Sequence, residues 1–256
     1  MNLLKMAETR EKLSKKLKHY RALKKQRGMT LLEIIIVLGI IGTIAAGVVV
    51  LAQRAYDNKA MTDLVTNTNV VRTAIKETWG PTGVYPDENT AATLGLTEAT
   101  VRTVSGADAP PVAILVQLGK LSTSEAKNNI SSNFFNIGNA HVGNLGGSGG
   151  GTAAAAANRA YFVEVNGLDQ KQCRNIALQL ANQWDYVEIR NAGGGTGNYA
   201  SPDHIDLAAN ATAITTAGGG GVIRSLANAG NVTVTPAVVA MACSDSANNS
   251  LVLGSR

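Results

Sequence analysis

Hydrophobic and polar positions divide the chain into regimes that change sharply along its length. Ile34–Ala52 runs nineteen residues without a charge. At about 1.5 Å per residue, a helix over residues 29–52 covers roughly 36 Å, enough to cross a bilayer core of about 30 Å. Gly39, Gly42 and Gly47 interrupt the run. Glycines there either allow close helix packing or let the helix soften locally. From Gln53 to Trp79 there is neither proline nor glycine. Met61, Leu64, Val65, Thr68, Val71, Ile75 and Trp79 recur at three- and four-residue spacing, with Asp57, Asn58, Lys59, Asp63, Asn67, Arg72 and Lys76 between them. That periodicity predicts an amphipathic helix with one stripe to bury. The two stretches together predict one helix of about fifty residues, apolar all round in its first half and half-buried in its second, ended by Gly80-Pro81.

Residues 80–159 read as irregular. Short helices are predicted at Pro111–Leu118 and at Ser122–Asn128, where Ser122 can cap and Glu125 follows three residues later. Gly143–Gly151 reads as a mobile glycine-rich stretch, followed by Ala153–Ala157 as a helical turn or a loop. Beyond residue 160 the pattern is clearer. Ala160–Val165 reads as a strand and Asn166-Gly167 as a turn. Asp169 caps a helix running to about Trp184, with Cys173, Ile176, Ala177 and Leu180 on one face. Tyr186–Arg190 alternates as a strand, and Gly193–Gly195 and Gly218–Gly221 mark loops. Thr235-Pro236 opens a short helix through Cys243, with threonine as cap and proline at the first helical position. Ser250–Leu253 reads as a final strand. The predicted fold class is α+β: a long N-terminal helix packed on a mostly antiparallel sheet.

Charge changes this picture at the N-terminus. The net charge is +5 overall, but residues 1–28 hold ten Lys/Arg against two Glu, a net of +8, which leaves −3 for residues 29–256. The basicity belongs to a leader and not to the domain, so nucleic acid is not an expected partner. Basic residues flanking an apolar segment stay on the cytoplasmic side, so the C-terminal bulk is expected outside. A secretory signal is cut after its apolar region. Here the candidate site, Gly28-Met29, precedes it, and cleavage would remove the charges and keep the anchor. The alternative is an uncut signal-anchor protein.

Candidate chemistry is sparse. No Ser/His/Asp or Cys/His grouping carries a supporting motif, and Gly218–Gly221 lacks the Lys-Ser/Thr of a phosphate loop. Asp203-His204-Ile205-Asp206 reads as a solvated loop, and His19, His141 and His204 are scattered. No catalytic residue, metal or cofactor is expected. The two cysteines, Cys173 and Cys243, lie in the part expected to be translocated. A bridge closing so long a loop would stabilise by roughly 4 kcal/mol on the chain-entropy account; two buried thiols are the other reading. Glu33 stands apart, because a carboxylate deep in a membrane costs about 2.5–3.5 kcal/mol. If Gly28-Met29 is cut, Met29 gains an amine that is mostly protonated at neutral pH. Glu33 can pair with it inside one helix or between neighbouring chains.

Arg27-Gly28-Met29-Thr30-Leu31-Leu32-Glu33 resembles the type IV prepilin signature: glycine before the cut, a hydrophobic first mature residue and glutamate as the fifth. The 28-residue leader, Met29, Leu51-Ala52-Gln53-Arg54-Ala55, Leu118-Gly119-Lys120-Leu121-Ser122 and Val165-Asn166-Gly167-Leu168 before Cys173 resemble the type IVb subclass, the group of the toxin-coregulated and longus-type pilins. The resemblance is strong over 25–79, patchy over 112–190 and weak in the remaining loops.

It implies a pilin fold with five parts: a removed leader (1–28), a transmembrane and filament-core helix (29–52), an amphipathic helix (53–79), an αβ-loop (80–159), and a sheet with a D-region (160–256). It implies cleavage after Gly28, N-methylation of Met29, an assembly role for Glu33 and a Cys173–Cys243 disulfide bounding the D-region. The implied partners are further copies in a helical filament, a prepilin peptidase, an assembly platform with its ATPase, and the inner membrane before assembly. The mature form would be a surface pilus of a Gram-negative bacterium serving adhesion, aggregation or colonisation. No proline lies within residues 29–79, so any local melting would rely on Gly39 and Gly42. The rival readings are a type II secretion pseudopilin, a membrane-anchored periplasmic enzyme and a minor, initiating pilin.

Overall fold

A computed structural model describes residues 10–19, 30–106, 109–143, 159–192, 197–200, 205–211, 213–227 and 233–256. The expectations for Gly28-Met29, Ala153–Ala157, Gly193–Gly195 and Asp203-His204 lie outside the described residues, as does all but Gly143 of the glycine-rich stretch. The chain divides into two compact units, Met1–Tyr56 and Asp57–Arg256. Helix α1 (Leu31–Trp79) contributes to both. In the first unit, residues 10–19 are also helical.

The second unit is built on the half of α1 from Asp57 onward and a six-stranded sheet. The remaining elements are α2 (Thr90–Leu94), α3 (Pro111–Gln117), β1 (Asn136–His141), β2 (Ala160–Leu168), α4 (Gln170–Leu180), β3 (Tyr186–Asn191), β4 (Ile205–Asp206), β5 (Gly221–Arg224), α5 (Pro236–Ala242) and β6 (Asn249–Ser255). Strand order is β4-β1-β2-β6-β3-β5. Every pairing is antiparallel except β1 with β4. The last strand in sequence is therefore central. All seven residues of β6 are buried, as expected for a strand covered on both faces.

Alternation sorts the two faces. Tyr161, Val163 and Val165 of β2, with Leu251 and Leu253 of β6, join Met61, Leu64, Val71 and Ile75 of α1 in the main core. Ala160, Phe162 and Val252 face the other way, with Ala140, Tyr186, Ile205 and Leu207. Gly254 makes room for that second layer, because a Cβ there would lie 2.3 Å from Leu207 Cδ2.

Several local expectations change. Asn67, read as part of the polar face of α1, is buried and donates to the carbonyls of Ser124 (3.3 Å) and Lys127 (3.4 Å). Ser122–Asn128 is a turn and not a helix. The Ser122 cap forms: the Glu125 amide donates to Ser122 Oγ (3.3 Å), and Glu125 Oε2 accepts from Ser122 Oγ (2.6 Å) and from the Ser122 amide (2.9 Å). These bonds hold the Glu125 carboxyl below its ordinary range. The turn stops because Lys127 bridges to Phe134 and the Asn128 amide donates to the Asn133 carbonyl (2.8 Å). Asn166-Gly167 does not reverse the chain. It forms a register shift inside β2, with Gly167 at φ +69°, a left-handed conformation that glycine adopts without strain. The helix after Asp169 ends at Leu180, four residues short of Trp184, as the Gln183 amide turns back to the Leu180 carbonyl at 2.9 Å. The stretch read as irregular holds α2 and β1, and Gly221, read as loop, begins β5.

Candidate assembly segment and the region closed by the disulfide

The first turn of α1 is capped by Thr30, whose Oγ1 accepts from the Glu33 amide at 3.3 Å while its carbonyl accepts from the Glu33 and Ile34 amides at 3.0 and 3.2 Å. Glu33 is thus the only acidic residue in a first turn whose free N–H groups favour negative charge. From Leu31 to Lys59 every side chain is exposed. These include Leu32, Ile34, Ile35, Ile36, Leu38, Ile40, Ile41, Ile44 and Leu51, each from 46% to 67% exposed. A continuous aliphatic surface of this length is unstable in water and needs lipid or other helices around it. Gly39, Gly42 and Gly47 have nothing within 4 Å of a built Cβ, so each is open to close approach by another helix. Thr43 satisfies its hydroxyl internally on the Ile40 carbonyl (2.9 Å). Of the residues singled out from sequence, Glu33 therefore lies on the exposed segment, while Gly28 and Met29 lie outside the described residues.

The other two come together in the second unit. Cys173 of α4 and Cys243, the C-cap residue of α5, form a disulfide with Cα atoms 6.0 Å apart. Each helix start explains its placement. Asp169 and Gln172 cap α4 reciprocally at 2.7 and 3.0 Å, which turns Cys173, Ile176, Ala177 and Leu180 inward. Thr235 caps α5 through the Val238 amide at 3.3 Å, with Pro236 at the first helical position. Arg174 donates to the Ala240 carbonyl (3.0 Å) and Gln170 to the Cys243 carbonyl (3.4 Å), so the bridge is reinforced by polar contacts.

Sequence reasoning missed two buried polar side chains in this region. Asn249 donates to the carbonyls of Leu168 (3.0 Å), Ser244 (3.1 Å) and Ser246 (2.8 Å) and accepts from the Ser244 amide (2.7 Å). It binds the turn after the disulfide to the head of β6. Glu164 sits fully buried in mid-β2, and burial pushes its carboxyl above the usual range. A charged residue inside an otherwise aromatic and aliphatic strand was the available signal.

Lys120 pairs with Glu77 of α1 (3.0 Å), and Lys127–Glu98 (2.7 Å) joins two parts of the stretch between α1 and β1 to each other. Both pairs are exposed on at least one side, so solvent screens them and neither is a strong source of stability. Lys127 lowers the Glu98 carboxyl through its hydrogen bond and charge. Asn69, Arg72, Thr73, Lys76 and Glu77 line an open polar groove of about 480 Å³ on α1. Desolvation, then the neighbouring Arg72, lowers the Lys76 ammonium. Among the described residues no group of three His, Cys, Asp or Glu is placed to hold a metal ion.

Comparison with known proteins agrees with this geometry. Residues 23–49 match the prokaryotic N-terminal methylation motif, and residues 114–250 match the toxin-coregulated pilus subunit TcpA family. A toxin coregulated pilin of Vibrio cholerae is 39% identical over 204 residues, covering 80% of this chain and 77% of the relative. Another, from Vibrio cholerae serotype O1, is 36% identical over 203 residues, covering 79% and 76%. The crystal structure of TcpA, a type IV pilin from the El Tor biotype of Vibrio cholerae, superposes with a TM-score of 0.56 at 26% identity, covering 77% of this chain and 99% of that one. With an exposed apolar helix behind a methylation motif and a disulfide-closed domain on a mixed sheet, the chain belongs to the toxin-coregulated pilus subunit family: it is a type IVb pilin, a structural subunit that assembles into a pilus filament from a membrane-anchored precursor.

Proposed function

We propose that a prepilin peptidase cuts between Gly28 and Met29 and methylates the new amine, and that the mature chain moves from the inner membrane into a helical filament with the apolar half of α1 at its core. The observation that carries this reading is the unbroken exposure of residues 31–59, aliphatic along most of its length and bearing one carboxylate, Glu33, in its first turn. Lipid satisfies that surface before assembly and neighbouring helices satisfy it afterwards. Because lipid tails are as apolar as leucine, the exchange brings no large hydrophobic gain. The work of extraction must come from elsewhere, which is the role assigned to an assembly platform and its ATPase.

Within the filament core, Glu33 pairs with the Met29 amine of an adjacent subunit. An uncompensated carboxylate among aliphatic side chains is strongly unfavourable, so the pair selects one axial register while the aliphatic contacts supply the packing. The domain carried outside serves adhesion, aggregation or colonisation, and the chain performs no enzymatic reaction. Glu33→Val tests the assembly role. The variant is expected to reach the membrane at wild-type level and to lose at least about tenfold in sheared filament, since one mispaired buried charge corresponds to several kcal/mol. Wild-type filament yield from Glu33→Val would overturn the registration role.

A further inference from the structure

Residues 10–19 form a helix of their own ahead of α1, and all ten are exposed. At about 100° per residue, Leu13 and Leu17 share one side of it, a turn apart. They are 60% and 56% exposed. Arg10 and Lys16 flank them, and Glu11, Lys12, Lys15, Lys18 and His19 lie toward the opposite side. Five basic residues against Glu11 give the helix a net charge of +4 (5 − 1). Two local contacts support it: Lys15 pairs with Glu11 one turn earlier at 2.9 Å, and Ser14 Oγ donates to the Glu11 carbonyl at 3.0 Å. A helix this short, with no buried side, is marginal in water. Its stability calls for a surface that covers the leucines and attracts the charge.

Two observations select that surface. The first is reach. Eleven residues separate His19 from Leu31, where the helix that carries the membrane-length apolar run begins. Fully extended, that connection spans about 40 Å, which holds residues 10–19 within about one bilayer thickness of the membrane that α1 enters. The second is charge. Anionic headgroups attract Lys and Arg clustered just outside a spanning helix. Leucines on one side and lysines on the other is the pattern of helices that lie in the headgroup plane. The long stems of Arg10 and Lys16 let their charges reach headgroups beside the leucines. An acidic protein would satisfy the charge, but no tether keeps one close.

We propose that residues 10–19 are a second membrane attachment: the helix lies flat on an anionic lipid surface, with Leu13 and Leu17 sunk toward the acyl chains and the lysines among the headgroups. The precursor is then held by a spanning helix and by a surface helix. In the processing proposed above, cleavage at Gly28-Met29 discards the surface helix and leaves the mature chain held by α1 alone. The surface attachment itself does not depend on that cut, and its test uses the uncut chain.

Cys173 and Cys243 are bridged, so a single introduced cysteine can carry a spin label on the full chain reconstituted in vesicles. Leu13→Cys, Leu17→Cys and Lys15→Cys place labels on the two sides of the helix. In vesicles of phosphatidylcholine and phosphatidylglycerol in equal parts, the labels at positions 13 and 17 are expected to be reached by oxygen dissolved in lipid and shielded from a water-soluble nickel complex. The label at position 15 is expected to show the reverse. In phosphatidylcholine alone all three should be aqueous. Each basic residue contributes about fivefold to binding an anionic surface, so Lys12→Gln, Lys16→Gln and Lys18→Gln together are expected to lower the bound-to-free ratio about a hundredfold. Raising salt from about 0.1 to 1 M shortens the screening length from about 10 to 3 Å and should lower the ratio with all three lysines in place. Labels at positions 13 and 17 that stay aqueous in anionic vesicles would overturn the attachment and point to an acidic protein surface instead. Equal lipid exposure at positions 13, 15 and 17, or a response indifferent to anionic lipid, to salt and to the glutamine changes, would overturn it as well.

Discussion

Asn249 shows how one side chain can hold a junction. Its amide and carbonyl join the end of β2, the turn following Cys243 and the first residue of β6. Replacing it by alanine leaves several buried backbone groups without partners, each costing about 1–3 kcal/mol when unsatisfied. Asn249→Ala is therefore expected to lower domain stability by at least about 2 kcal/mol, read as a shift in the denaturant midpoint at unchanged slope. A midpoint within error of wild type would show that water replaces these contacts at little cost. At this scale the sequence was only partly legible. Glu33 announced itself by standing at the mouth of an uncharged run, and Thr235-Pro236 and Asp169 by their capping chemistry. Asn249 and Asn67 did not, because burial of a polar side chain depends on partners far along the chain, such as Leu168 for Asn249 and Ser124 and Lys127 for Asn67.

Among the elements, the bridge between α4 and α5 closes a separation of 70 residues. Chain entropy assigns such a loop roughly 4 kcal/mol, which for a domain of this size corresponds to roughly 8–16 °C in melting temperature. Cys173→Ser, or reductant added to the wild-type chain, is expected to lower the melting temperature by that order; identical melting with and without reductant would contradict it. The two halves of α1 were legible because each follows its own periodicity over many residues. β1 was not, since Asn136-Ile137-Gly138-Asn139-Ala140-His141 is built from residues that strands usually avoid. It becomes a strand because β2 offers it an antiparallel edge and Gly138 lets the Phe162 ring lie against it, 2.6 Å from where a Cβ would stand. Ser122–Glu125 shows the converse: the local capping signal was read correctly, and the helix it should start was overridden by the Lys127–Phe134 bridge.

For the whole molecule, the governing fact is that an apolar helix segment with exposed side chains shares a chain with a well-packed domain whose central strand is its last. The fold class and the mostly antiparallel sheet followed from helix length and from alternation beyond residue 160. The strand order did not, because nothing local in Asn249–Ser255 says that it inserts between β2 and β3. The chain's role rests on what happens before α1, at Gly28-Met29, so the most direct test is intact-mass and N-terminal peptide mass spectrometry of filaments sheared from the cell surface. The account predicts a chain that begins at Met29 with a methyl group on its amine and retains the Cys173–Cys243 bridge. Filament protein beginning at Met1, with the basic leader still attached, would contradict it.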